Sequence, residues 1–167
     1  MNTIKKVSIF VKLKQNSFML KLNLPEYNFK FIKENNKLKI FDSVRKLFVV
    51  LTPEEWVRQN YIMFLINEKK VPASHIITES QLKLHELKKR TDVIVYNKKM
   101  EAAVLIEFKA PEVKIQTTVF EQINRYNLAL KLKYLVVTNG LTHYFCKINY
   151  DENKVDFLND IPMYDEL

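Results

Sequence analysis

The sequence predicts an α/β protein, and three observations support that class. Two segments carry helix signals, at about residues 52–68 and 117–131. Five short apolar runs with strand character surround them, three between the helices and two after the second. The chain has 167 residues, of which 47% are hydrophobic, enough for one domain with a sizeable core and too apolar for general disorder.

Residues 1–37 are rich in Lys and Asn without clear periodicity. They read as a basic N-terminal appendage with one short strand expected at Ser8 to Leu13. Met19 opens Met-Leu-Lys-Leu-Asn-Leu-Pro and resembles a natural start at least as much as Met1 does. Residues 1–18 are then either an upstream extension or a basic arm. Leu38 to Phe41 and Lys46 to Leu51 read as a hairpin with Asp42 and Ser43 at its turn. Thr52-Pro53-Glu54-Glu55 is a helix start, with a Thr cap, proline at the first position and acids in the first turn. Val57, Tyr61, Phe64 and Leu65 form its apolar face to about Glu68, and Pro72 blocks much further extension.

Ile76 to Leu84 reads as a strand. Asp92-Val93-Ile94-Val95-Tyr96 follows, then a turn from Asn97 to Glu101, then Ala102 to Ile106 running into Glu107-Phe108-Lys109. Ala110-Pro111 ends that strand. The second helix, Thr117 to Lys131, places Val119, Gln122, Tyr126 and Ala129 along one stripe. Tyr134 to Val137 is a short strand, and Asn139-Gly140 reads as a two-residue hairpin turn into Leu141 to Ile148. Residues 151–167 hold six acids and one lysine and read as a solvated acidic C-terminal segment pinned by Phe157, Ile161 and Tyr164.

Composition excludes several classes of function. The one cysteine, Cys146, permits no intrachain disulfide and points to a reducing cytoplasm. His75, His85 and His143 lack the spacing of a structural zinc site. Gly140 is the only glycine, so these residues contain neither a Walker A loop nor a glycine-rich dinucleotide fingerprint, and no ATP site is expected. No run is long enough to span a membrane, and the N-terminus lacks a signal-peptide core. The net charge of +8 is uneven: residues 1–40 hold nine lysines against Glu26 and Glu34, while the remainder carries eighteen basic and seventeen acidic side chains. Charge alone therefore assigns no nucleic-acid surface to the later region. Lys83, His85, Lys88, Lys89 and Arg90 cluster before Asp92, as a phosphate contact or as a solvated hairpin tip.

The chemistry is carried by three charges at the ends of apolar strands. Glu107 and Lys109 point the same way and Phe108 the other, because strand side chains alternate. If the two runs pair as a hairpin, Asp92 returns beside Glu107. Unpaired charges there cost several kcal/mol. A divalent metal between the carboxylates would offset that cost, which suggests metal-dependent hydrolysis. A plain Glu–Lys ion pair at a strand end is the structural alternative.

Asp92-x(14)-Glu107-x-Lys109 resembles the core of the PD-(D/E)xK nucleases, and Gln122-Ile123-Asn124-Arg125-Tyr126 fits the Gln-x-x-x-Tyr helix of their RecB-like branch. With Leu51 to Gln59, Lys89 to Asp92, Ile106 to Pro111 and Tyr134 to Gly140, the text is similar to the N-terminal nuclease domain of type I restriction enzyme R subunits, in stand-alone form. The likeness covers roughly residues 38–150; Thr91 stands where the family often has proline.

The resemblance implies a restriction-endonuclease-like fold: a mixed central β-sheet flanked by α-helices, in the order αβββαββ. It implies cleavage of DNA phosphodiester bonds with Mg²⁺, or Mn²⁺ in its place, held by Asp92, Glu107 and the Phe108 carbonyl. Lys109 would orient or deprotonate the attacking water and stabilise negative charge. Glu54, Glu55 or Glu79 would supply a further acid. The helical wheel favours Glu54, although first-turn acids are also ordinary helix-dipole partners. Gln122 and Tyr126 lie one helical turn apart and would hold the nucleic acid, or else line the core; Arg125 meets phosphate or solvent. The expected partners are DNA, a second copy of the chain or restriction-system subunits, with neither a membrane nor ATP. A non-catalytic nucleic-acid-binding or partner module on the same fold is the other reading.

Overall fold

The computed structural model describes residues 19–78, 92–116, 127 and 130–167. The first element is a three-stranded antiparallel sheet of β1 (Phe31–Glu34), β2 (Lys37–Asp42) and β3 (Leu47–Val50), in that order. β2 and β3 are the hairpin read from the sequence. β1 falls in the segment read as lacking pattern. Glu34 pairs with Lys37 across a two-residue turn, and both turn residues, Asn35 and Asn36, take left-handed φ values of 48° and 60°. That is the turn whose twist suits a hairpin. At the β2–β3 turn the Asp42 carboxylate accepts hydrogen bonds from the Val44 and Arg45 backbone N–H groups, each at 2.8 Å. This is the local capping for which Asp is favoured in turns.

Helix α1 (Pro53–Asn67) begins at Thr52, whose hydroxyl accepts from the Glu55 N–H at 3.0 Å. Val57, Tyr61, Ile62 and Leu65 are buried in the main core. Glu55, Gln59 and Asn60 are buried as well, so α1 has a polar interior face that its apolar stripe does not announce.

A six-stranded sheet follows: β4 (Ile76–Thr78), β5 (Val93–Tyr96), β6 (Ala102–Phe108), β7 (Tyr134–Thr138), β8 (His143–Asn149) and β9 (Lys154–Leu158), hydrogen-bonded in chain order. Every neighbouring pair is antiparallel except β6 and β7, which run parallel with Glu107 opposite Val137. A parallel pair needs a long crossover, which residues 109–133 supply. Within it Asn127 and Leu130 are helical, and the Lys131 N–H donates to the Asn127 carbonyl at 2.6 Å. The rest of the helix read over Thr117 to Lys131 lies outside the described residues, as does the strand read at Ser8 to Leu13.

Both faces of the sheet are covered. Val93, Val95, Val104, Ile106, Phe108 and Val136 join α1, while Ile94, Leu105, Leu135 and Val137 join Leu132, Cys146 and Ile148 on the other side. Burial on both faces explains why these strands read as continuous apolar runs. The architecture is a mixed α/β one, as read from the sequence, with α1 packed on one face of a mixed six-stranded sheet. Among the described residues no helix is long and apolar enough to cross a membrane.

Two local readings are corrected. Asn139-Gly140 is not a two-residue turn, because Thr138 pairs with His143 and leaves a four-residue loop. Asn139 shapes it, its side-chain oxygen accepting from the Leu141 and Thr142 N–H groups at 3.0 and 2.8 Å. Gly140 takes φ 81°, and a Cβ there would lie 2.8 Å from the Leu22 side chain. The second correction concerns residues 154–158, which are not solvated coil but form β9 on the edge of the sheet, with Val155 opposite Ile148. Beyond it Ile161 and Tyr164 are buried as expected, whereas Phe157 is 67% exposed.

Candidate active site

β5 and β6 pair in the register that the charge spacing anticipates. Val93 lies opposite Ile106, so the next residues along, Asp92 and Glu107, sit side by side at the strand ends. Backbone and side chain cooperate there: the Asp92 Oδ2 accepts from the Phe108 N–H at 2.7 Å. The Phe108 ring turns to the opposite face, fully buried against Tyr61 with ring centroids 5.7 Å apart. Lys109, on the Glu107 side, donates to the Glu107 Oε1 at 2.6 Å.

The first turn of α1 reaches the same place. Arg58 donates from one guanidinium nitrogen, Nη2, to the Asp92 Oδ1 at 3.1 Å and to Glu54 at 3.2 Å. From Nη1 it donates to Glu55 at 2.6 Å. Its charged end lies over the Phe108 ring, 5.7 Å from the centroid. Glu54 and Glu55 therefore part company. Glu54 is half-buried and faces the cluster, as the helical wheel indicates. Glu55 is buried and committed to Arg45 and Gln59 at 2.8 Å each as well as to Arg58.

Three carboxylates (Glu54, Asp92, Glu107) thus share two cations, Arg58 and Lys109. The imbalance is visible in proton affinities. Burial, and next the charge of Asp92, push the carboxyls of both Glu107 and Glu54 above the ordinary range. Burial pulls Lys109 down, but its hydrogen bond and charge contact with Glu107, with Asp92 and Glu54 behind, outweigh that and leave it raised. Arg58 follows the same pattern, its loss to burial outweighed by Glu55, Asp92 and Glu54.

Among the described residues no group of three or more His, Cys, Asp or Glu side chains forms a metal cage by itself. Mg²⁺ seldom uses one; it is commonly held by one or two carboxylates with retained waters and substrate phosphates. The oxygen-only donors here, short of positive charge, fit that habit.

Glu79, Lys83, His85, Lys88, Lys89, Arg90, Gln122, Arg125 and Tyr126 lie outside the described residues. Arg58 is the site residue that the sequence reading missed. Its signal is the Glu54-x-x-x-Arg58 spacing, which puts the pair on one helix face.

A search of the curated proteins returns no match. A solved fragment described as an HsdR subunit of a type I restriction enzyme, from Vibrio vulnificus YJ016, superposes with a TM-score of 0.49 at 19% identity. The match covers 68% of this chain and 24% of that one, so the chain spans about a quarter of the relative's length. The family described as type I restriction enzyme R protein N terminus matches residues 53–162, from the first residue of α1 to just beyond β9. The chain belongs to the type I restriction enzyme R protein N-terminal family.

Proposed function

We propose that the protein is a Mg²⁺-dependent nuclease that hydrolyses DNA phosphodiester bonds. The observation that carries this reading is the convergence of Asp92, Glu107 and Glu54 at one end of the sheet with fewer cations than carboxylates. Asp92 and Glu107 would hold the ion, with the Phe108 carbonyl as a further oxygen and Glu54 as the additional acid. When bound, the ion lowers the pKa of a water and offsets charge on the scissile phosphate.

The chain's own residues do the rest. Lys109 keeps its proton, because its contact with Glu107 raises its pKa, so it acts as a hydrogen-bond donor rather than a base. It orients the attacking water and stabilises charge developing on the phosphate oxygens. Asp92 is held still by the Phe108 N–H, which fixes the geometry the reaction needs. Gln122, Tyr126 and Arg125, with the basic run Lys88-Lys89-Arg90, are proposed to hold the DNA. Its partners would be restriction-system subunits or a second copy of the chain, in the cytoplasm.

Single-stranded, double-stranded and branched DNA should be offered with Mg²⁺ or Mn²⁺ to the wild type and to Lys109→Ala. Cleavage reduced by about 10²-fold or more in the variant is expected, the scale of losing one charge-stabilising donor. Equal cleavage by both proteins, or none by either, would remove the reading.

One observation favours a second reading, a non-catalytic module that binds DNA or a restriction-system partner. Asp92 and Glu107 already have internal cations, Arg58 and Lys109. Salt-dependent DNA binding that neither EDTA nor Asp92→Asn alters would select it.

A further inference from the structure

We propose that Arg58 is a resident counter-cation. In the metal-free protein it occupies the Asp92 oxygen that a divalent ion would take, and ion binding moves it off Asp92 while Glu55 keeps it beside the site. The inference deepens the nuclease reading and rests on it.

Asp92 has two carboxylate oxygens, and the structure assigns each a partner. Oδ2 is tied to the Phe108 N–H, inside the β5–β6 junction. Oδ1 accepts from the Arg58 Nη2, which also donates to Glu54. A guanidinium and a divalent ion on one oxygen, in a site this shielded from water, repel strongly. The ion therefore competes with Arg58 for Asp92.

Arg58 is placed to yield without leaving. Its Nη1 is bonded to the buried Glu55 at 2.6 Å, and Glu55 is itself fixed by Arg45 and Gln59. Among the described residues its buried Nε has no hydrogen-bond partner, so that side of the group does not hold it against Asp92. Anchored on one arm and lightly held on the other, the guanidinium can release Asp92 and Glu54 and remain next to the ion.

Calorimetric titration of the full chain with Mn²⁺ tests this on the wild type, Arg58→Met and Arg58→Lys. Removing a unit charge at contact distance should tighten Mn²⁺ binding in Arg58→Met by about tenfold or more. The same variant should melt at a lower temperature without metal and gain more from metal than the wild type does. Arg58→Lys keeps a cation but loses the planar fork, so its affinity should fall between the two. In the wild type, titration with Mg²⁺ should shift the guanidinium NMR resonances of Arg58 and leave those of Arg45 in place.

A merely structural Arg58 would lower the melting temperature without tightening the ion. Wild-type binding with no gain in Arg58→Met therefore overturns the counter-cation and leaves the nuclease reading standing. No Mn²⁺ binding by any of the three proteins overturns both. Should Arg58→Met fail to fold, guanidinium resonances unmoved at saturating Mg²⁺ would overturn the counter-cation alone.

Discussion

Burial and the neighbouring charge of Asp92 both push the carboxyl of Glu107 upward, against the pull of the Lys109 ammonium 2.6 Å away. Glu54 is raised by burial and Asp92 in the same way. An acid whose folded pKa lies above its ordinary 4.5 binds more protons folded than unfolded in the interval between. The stability it lends is complete below 4.5 and is lost as pH rises through the folded value. The metal-free protein is therefore expected to lose melting temperature across that window, and Glu107→Gln should flatten the loss. Near neutral pH the same variant should melt no lower than the wild type, since the glutamine oxygen still accepts from Lys109. It should also lose the rise that Mn²⁺ gives the wild type, about 2.7 kcal/mol at a hundredfold excess over Kd. Thermal melts over a pH series, with and without Mn²⁺, read all three. A Glu107→Gln protein clearly weaker than wild type without metal would mark a structural ion pair. Asp92, Glu107 and Lys109 were legible in the sequence because strand alternation and hairpin pairing are short-range rules. Arg58 was not, since an arginine on a helix is ordinarily solvated, and only the fold brings it to Asp92.

At the scale of elements, the β7–β8 loop carries the firmest expectation. Gly140→Ala puts a Cβ at φ 81°, where L residues are strained by roughly 1–2 kcal/mol. The Leu22 methyl 2.8 Å away is the end of a flexible side chain and can turn aside, while Val57 at 3.1 Å belongs to α1 and is stiffer. A loss on that backbone scale is expected in chemical denaturation, with an unchanged denaturant slope. Helix α1 and the β5–β6 hairpin could be read from sequence because their signals are local: a Thr-Pro cap for one, apolar runs with a turn for the other. β1 could not, since its Asn35-Asn36 turn lacks the glycine that announces such turns. β9 was hidden for a different reason. As an edge strand it has no buried face to impose alternation, and charged residues suit an edge that must not pair with strangers.

Across the whole molecule, the two sheets are joined through charge as much as through apolar packing. Asp42 closes the β2–β3 turn, bonds to Arg45 and receives Gln59 at 2.9 Å. Arg45 also reaches Glu55, and Glu55 reaches Arg58. One polar chain thus runs from the small sheet through α1 to Asp92. Burial raises the pKa of Asp42, but backbone and side-chain hydrogen bonds from Arg45 outweigh it and hold the carboxyl below the usual range. The flanking segments hold α1 and the residues just after it as well. The Trp56 indole donates to the Leu20 carbonyl at 3.0 Å, and the Tyr164 N–H donates to the Lys69 carbonyl at 3.0 Å.

Those contacts bear on where a gene can be cut. A fragment trimmed to residues 53–162 keeps all that matches the family and every charged group of the site. It discards Arg45, which bonds to Glu55, and Thr52, which caps α1. It also loses Leu22 and Tyr164 from the main core. Such a fragment is expected to keep its far-ultraviolet dichroism and lose its near-ultraviolet signal, the mark of loosened packing. Restoring residues 19–52 and 163–167 should recover it. The stretch that matches the family is shorter than the stretch that builds the core.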